Sequence, residues 1–139
     1  MHKKILHGMD GSEGSFKALG EAIQLAKLYG AELYTIFVEE MPQYPGTIGE
    51  VLEEKETADS HYAEMLARAR AMADKEGIRL HARAVAGHEV KSIVETIKQK
   101  GFDLLVIGFM GRSALYDRVM GSTCSSLVRL APCSVIVVK

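Results

Sequence analysis

The chain has 139 residues, the size of one compact domain, and we expect a single domain spanning residues 1–139. Its hydrophobic content of 47% and charged content of 25% are those of a folded globular protein, so disordered and collagen-like chains are excluded. Because 17 basic residues almost balance 18 acidic ones, the composition also disfavours a protein that holds nucleic acid mainly through its phosphates.

The first apolar run and the cysteines bear on location. The apolar run after Lys4 stops at His7, so it is too short for a signal-peptide core of about 7–15 residues or a membrane span of about 20. We therefore expect a cytoplasmic protein with no membrane partner. Cys124 and Cys133 are expected to be small buried thiols, and the five histidines show no ligand-like spacing with them. No metal site of the protein's own is predicted.

Strand and helix patterns alternate along the chain. The predicted strands cover residues 3–9, 31–38, 78–85, 104–107 and 135–138. The predicted helices run from the cap Ser12 to Gly30, from about residue 51 to Gly77, from Val90 to Gly101 and from Ser122 to Leu130. Residues 104–107 are apolar at every position, which predicts a parallel strand buried on both faces, and the apolar residues 135–138 predict a last buried strand. Residues 78–85 alternate, which is typical of an edge strand.

This alternation predicts an α/β fold, a doubly wound parallel sheet with right-handed crossovers and helices on both faces. Such sheets bind ligands beyond the carboxyl ends of the strands, at the point where the strand order reverses direction. The strand-to-helix loops are therefore the candidate functional regions.

The connection before the fourth helix is unusually long. It has fourteen residues, from Gly108 to Gly121, where such loops usually need about 2–6. Gly108, Gly111 and Gly121 would let the backbone approach a ligand, and the helix start offers free N–H groups and the hydroxyls of Ser122 and Thr123. These features predict a phosphate cradle, although the glycines could merely turn the chain and Ser122 could merely cap the helix.

Two charged side chains are further candidates for contacts with a ligand. Arg112 lies beside Gly111 and could reach an outer phosphate or simply be solvated. Asp10 ends the first strand, where its carboxylate could accept hydrogen bonds from ribose hydroxyls or an adenine amino group. An Asx-turn or a helix cap is the equal alternative for Asp10.

The spacing Gly-x2-Gly-x9-Gly-Ser, from Gly108 to Ser122, resembles the ATP-binding signature of the universal stress protein family. Weaker similarities, such as residues 10–12 and 131–133, extend the resemblance over essentially the whole chain. The resemblance implies a sheet in the order 3-2-1-4-5, of the adenine nucleotide alpha hydrolase-like type, with ATP across the ends of strands one and four. It also implies a homodimer through the last strand.

The resemblance further implies nucleotide contacts at eight positions: Met9 and Val38 beside adenine, Asp10 on ribose or adenine, Gly108 and Gly111 along ribose and phosphates, and Gly121, Ser122 and Thr123 on the phosphates. Mg²⁺ can accompany the nucleotide, bridging its oxygens. One departure concerns residues 7–9, His-Gly-Met, where the family commonly has an apolar-Pro-apolar triplet. The shape of the adenine wall is left open by this difference.

The leading hypothesis is an ATP-binding regulatory protein of the stress response, with slow or no hydrolysis. The sequence has no P-loop lysine motif and no evident general base or arginine finger for phosphoryl transfer. The alternative is a dimeric stress scaffold that binds no nucleotide, against which the glycine signature argues. Receiver and flavodoxin functions are disfavoured, because their acidic pair and their Thr/Ser-rich phosphate loop are missing from the sequence.

Overall fold

The computed structural model describes residues 2–40, 48–109 and 121–139, and of residues 48–59 only the helical backbone. The described elements alternate in type, as the sequence predicts. They are β1 Lys4–Met9, α1 Glu13–Tyr29, β2 Glu32–Glu39, α2 Ile48–Lys75, β3 Leu80–Ala86, α3 Glu89–Lys100, β4 Leu104–Gly108, α4 Ser122–Leu130 and β5 Ser134–Val138. Among the described residues, no helix is both long enough and apolar enough to cross a membrane.

The five strands form one sheet in the order β3-β2-β1-β4-β5, and each neighbouring pair is parallel. The predicted fold class and strand order are therefore confirmed. β1 lies between β2 and β4, with Met9 opposite Phe37 on one side and His7 opposite Val106 on the other. The strand order reverses direction between β1 and β4, which is where a doubly wound sheet binds its ligand.

Two apolar layers cover the sheet. One packs α1 and α2 on one face, with Ile5, Leu19 and Val106 among its fully buried members. The other packs α3 and α4 on the opposite face and includes Leu6 and Leu105. Neighbouring residues of β1 and β4 thus enter opposite layers, which explains why the sequence of β4 is apolar at every position.

Local signals set the helix ends. Ser12 caps α1 by accepting a hydrogen bond from the Ser15 N–H at 3.1 Å, and α1 ends at Gly30 with φ +64°. α3 ends in the same way at Gly101, with φ +72°. These predicted caps are confirmed, because a side-chain acceptor and a left-handed glycine satisfy the end groups that the helix leaves unpaired.

The two sheet edges differ in character. β3 carries Arg83 and the half-buried His81, as predicted for an edge strand. The prediction that residues 135–138 form a buried strand is wrong for the chain by itself, because Val135, Val137 and Val138 are half-buried and Ile136 is 36% exposed. β5 is the second edge, and its outer side has no neighbouring strand within the described chain.

Candidate functional site

The carboxyl ends of three adjacent strands form the floor of the candidate site. Met9 ends β1, Val38 is the penultimate residue of β2, and Gly108 ends β4. The register between β1 and its neighbours brings these ends to one edge of the sheet. The Met9 side chain is 6% exposed and packs in the α1 layer, so Met9 can offer a ligand only its backbone.

Asp10 lies in a tight turn between β1 and α1. Its Oδ1 accepts hydrogen bonds from the Ser12 N–H at 2.9 Å and from the Ser12 hydroxyl at 2.5 Å. This is the Asx-turn that the sequence left as an alternative. A carboxylate has about four lone-pair positions, and both of these bonds are accepted by Oδ1.

The long connection is closed at its base. The Gly121 N–H donates to the Phe109 carbonyl at 3.2 Å, and the Phe109 N–H donates to the Val138 carbonyl at 2.9 Å. These bonds place the start of α4 beside the end of β4. The predicted contacts Gly111 and Arg112 lie outside the described residues.

The start of α4 presents amides and hydroxyls at this same edge. Gly121 is the N-cap, and within the described residues no side chain caps the helix. Ser122 is exposed and Thr123 is half-buried in the first turn. Free first-turn N–H groups and the positive end of a helix dipole attract an anion, so this turn has the character of an anion-binding site.

The three glycines at this edge differ in whether their geometry requires glycine. Gly11 has φ +83°, a conformation that favours glycine. A Cβ on Gly108 would lie 3.0 Å from the carbonyl carbon and oxygen of Gly14, so close packing of α1 on β4 excludes a side chain. Gly121 has φ −59° and ψ 149°, which any residue can adopt, so conformation does not explain the glycine at this position.

The His-Gly-Met triplet has a specific geometry. His7 is fully buried on the α1 side, with Nε2 2.7 Å from the Ser15 carbonyl oxygen and Nδ1 2.9 Å from Thr35 Oγ1. Gly8 faces the other layer, where a Cβ would lie 3.2 Å from a methyl group of Ile107. Burial lowers the pKa of His7 to about 4, so the imidazole is neutral at pH 7.

The sequence analysis placed residues 7–9 beside adenine but did not predict that His7 is hydrogen-bonded to Ser15. A histidine inside an otherwise apolar strand was the available signal, but periodicity cannot show which groups it meets. Among the described residues no cluster of His, Cys, Asp or Glu could hold a metal ion. Cys124 is buried and Cys133 half-buried, and burial raises the pKa of both thiols.

The comparison with protein families decides the relationship. The model of the universal stress protein family matches residues 1–139. This chain belongs to that family. A universal stress protein of Methanocaldococcus jannaschii is 33% identical over 141 residues, covering 100% of this chain and 83% of the relative.

Solved structures of the family share the fold. A universal stress protein from Lactobacillus plantarum is 29% identical and superposes with a TM-score of 0.86, covering 99% of this chain and 98% of its own. Another universal stress protein, crystallised in complex with cAMP, is 26% identical, with a TM-score of 0.76 and coverage of 99% and 97%. The five-stranded order seen here is that of the family.

Proposed function

We propose that this universal stress protein is a regulatory module that binds ATP across the ends of β1 and β4 and hydrolyses it slowly or not at all. The observation that carries the proposal is the start of α4. This first turn is capped by no side chain of the described residues, follows a glycine that no backbone strain requires, and lies beside the end of β4. A phosphate chain is the ligand that such a turn suits best.

The phosphate side of the site consists of Gly121, Ser122 and Thr123, with Gly111 and Arg112 as further proposed contacts from the long connection. Amides of the α4 turn would donate to phosphate oxygens, and the exposed Ser122 hydroxyl would add one charge-assisted hydrogen bond. The missing side chain at Gly121 leaves room for the phosphate to approach the backbone.

The carboxyl ends of β1 and β2 form the nucleoside side of the proposed site. The backbone at Met9 and near Val38 would line adenine, and Asp10 would accept from ribose or adenine while Ser12 holds its Oδ1 in place. Gly108 serves this arrangement indirectly, since its missing side chain lets α1 lie against β4. Mg²⁺ would arrive with the nucleotide and be bound mainly by phosphate oxygens and water.

A family relative supports an adenine nucleotide as the ligand. The universal stress protein crystallised with cAMP shares 26% identity with this chain over nearly its whole length. A cyclic monophosphate and a triphosphate share adenine, ribose and a phosphate, so the same edge can be tested with both.

The decisive experiment is nucleotide binding by the full chain. We expect ATP to raise the melting temperature and to bind with one site per chain in titration calorimetry. Freshly purified protein should release adenine nucleotide on denaturation, as measured by chromatography. If ATP, AMP and cAMP all leave the melting temperature unchanged at millimolar concentration, the proposal is wrong and the nucleotide-free scaffold is preferred. Turnover of about 1–100 per second would refute the regulatory, non-catalytic part.

We also propose a homodimer through β5. Within the described residues no strand pairs with its outer side, and its Ile136 is 36% exposed, while the other edge strand carries Arg83 and His81. Charged residues protect an edge from pairing, whereas an apolar edge invites it. Sedimentation equilibrium should give the mass of two chains, and Ile136→Lys should shift the protein toward monomer. A wild-type monomer at 100 μM would contradict the proposal.

A further inference from the structure

The buried imidazole of His7 joins three elements below the candidate site. His7 belongs to β1, its Nδ1 meets Thr35 of β2, and its Nε2 meets Ser15 of α1. A carbonyl oxygen can only accept, so Nε2 carries the proton and donates to Ser15. Nδ1 is then the acceptor of the Thr35 hydroxyl proton. These partners fix both the tautomer and the orientation of the ring.

Ser15 connects this imidazole to the turn above it. The Ser15 N–H donates to Ser12 Oγ at 3.1 Å, and the Ser15 hydroxyl lies 2.8 Å from the Ser12 carbonyl oxygen. Ser12 in turn donates twice to Asp10 Oδ1. A continuous chain of hydrogen bonds therefore runs from β2 through His7 to the carboxylate at the sheet edge.

An apolar residue would satisfy the packing at this position more simply. Ile5 and Met9, the neighbours of His7 on the same side of β1, are apolar and buried. Burying an imidazole there costs free energy unless both nitrogens are paired, and the pairing found here fixes the start of α1 on the sheet. The value of the histidine therefore lies in the position that it gives α1.

We infer that His7 is a positioning residue: through Ser15 it holds the Asp10–Ser12 turn at the sheet edge and thereby sets the affinity of the proposed nucleotide site. This inference rests on the proposed function for its ligand, but the placement of the turn can be measured without any ligand. Neither His7 nor Ser15 touches the ligand in this arrangement.

Three variants of similar volume separate positioning from general stability. His7→Leu removes both hydrogen bonds. His7→Gln places an amide donor near the position of Nε2 and can restore the bond to Ser15. Thr35→Val removes the other partner and leaves the Nε2 donor in place, so it is the matched control for loss of a buried hydrogen bond.

ATP titration of the folded variants, at a temperature well below each melting point, gives the first readout. We expect about tenfold weaker binding for His7→Leu, and binding within about threefold of wild type for His7→Gln and for Thr35→Val. Equal affinity in folded His7→Leu would overturn the inference. So would an equal loss in Thr35→Val, because that result would indicate general loosening of the core.

Amide hydrogen exchange gives the second readout and needs no nucleotide. We expect exchange at Ser15 and Phe16 to accelerate at least tenfold in His7→Leu relative to amides of α3, and to be close to wild type in Thr35→Val. Failure of wild type to bind ATP would refute the proposed function, and the exchange data would still decide whether His7 holds the turn. Unchanged exchange at Ser15 in His7→Leu would overturn the inference.

Discussion

Helices α1 and α4 both begin at the carboxyl edge of the sheet, but their first turns are satisfied in opposite ways. Ser12 caps α1 with its own side chain, and Asp10 fixes that cap. α4 begins at Gly121, and no described side chain caps it. In the first arrangement a side chain of the helix start itself accepts a first-turn N–H, which serves stability, whereas in the second no described side chain does so, which suits an anion.

Polar residues at this edge of the sheet are therefore expected to serve two purposes, stability at the start of α1 and ligand binding at the start of α4. Substitutions at the start of α1 should change the free energy of unfolding, with ligand affinity changing as a consequence. Substitutions at the start of α4 should change ligand affinity and leave stability nearly unchanged.

The largest expected effect is at Gly121. Gly121→Val keeps an allowed backbone conformation, because φ is −59°, but places a branched side chain where the phosphates would approach. We expect ATP binding to weaken at least a hundredfold, about 3 kcal/mol or more, in titration calorimetry. Thermal unfolding should remain cooperative. A variant that unfolds would show that Gly121 is structural and would remove the contrast between the two helices.

The pH dependence of stability should report on the start of α1. Burial lowers the pKa of His7 from 6.5 to about 4, so the unfolded chain takes up this proton at a higher pH than the folded one. Stability from this residue is full above pH 6.5, falls as the pH drops towards 4, and levels off below, with a total loss of about 3 kcal/mol.

Urea unfolding at pH 7 and pH 4 measures this loss. His7→Leu is the control, because leucine does not titrate, and the wild type should lose about 3 kcal/mol more than this variant between the two pH values. Parallel losses in both proteins would show that His7 titrates normally.

Gly108 should behave as part of the α1 packing. A Cβ at this position lies 3.0 Å from the Gly14 backbone, so Gly108→Ala should reduce the free energy of unfolding by about 2 kcal/mol through overpacking. Chemical denaturation checks this value. Gly121→Ala, on the other side of the same edge, should lose less than about 0.5 kcal/mol. Equal losses would erase the distinction between the two glycines.

Ser122 should affect binding alone. Ser122→Ala removes one proposed charge-assisted hydrogen bond, and we expect about tenfold weaker ATP binding, equal to about 1.4 kcal/mol. Because Ser122 is exposed in the first turn of α4, the melting temperature of the variant protein should stay within about two degrees of wild type. Unchanged affinity in titration calorimetry would remove Ser122 from the site.

The smallest expected effect is at Ser12, where, in contrast to Ser122, a substitution should change stability. Ser12→Ala removes the α1 cap and should lower the free energy of unfolding by about 1 kcal/mol in chemical denaturation. Ser12→Asn, which can still cap, should recover most of this loss. A Ser12→Ala protein as stable as wild type would show that the α1 cap is not the stabilising element that the geometry indicates.

Features that depend on neighbouring residues were predicted more accurately than features that depend on contacts between distant parts of the chain. α4 was predicted with its observed bounds because Gly121, Ser122 and the later Pro132 are local signals. β3 was predicted from Ile78 but begins at Leu80, since the Ile78 N–H donates to the Ala73 carbonyl and completes the end of α2.

β2 shows the same displacement. Its predicted first residue, Ala31, donates its N–H to the Ala26 carbonyl and so completes the end of α1. The candidate site was found only partly, for a similar reason. The glycine spacing marked the edge of the sheet, but the tie from Ser15 to His7 joins residues whose contact depends on how α1 packs.

The sequence by itself determined the alternation of strands and helices, the capped ends and the family, because these depend on short-range periodicity, turn conformation and a fixed spacing of glycines. Only the tertiary structure decided that close packing requires the glycine at Gly108, and which partners hold His7. Those properties depend on how closely separate elements pack, and a local sequence pattern does not predict the packing distances between residues far apart in the chain.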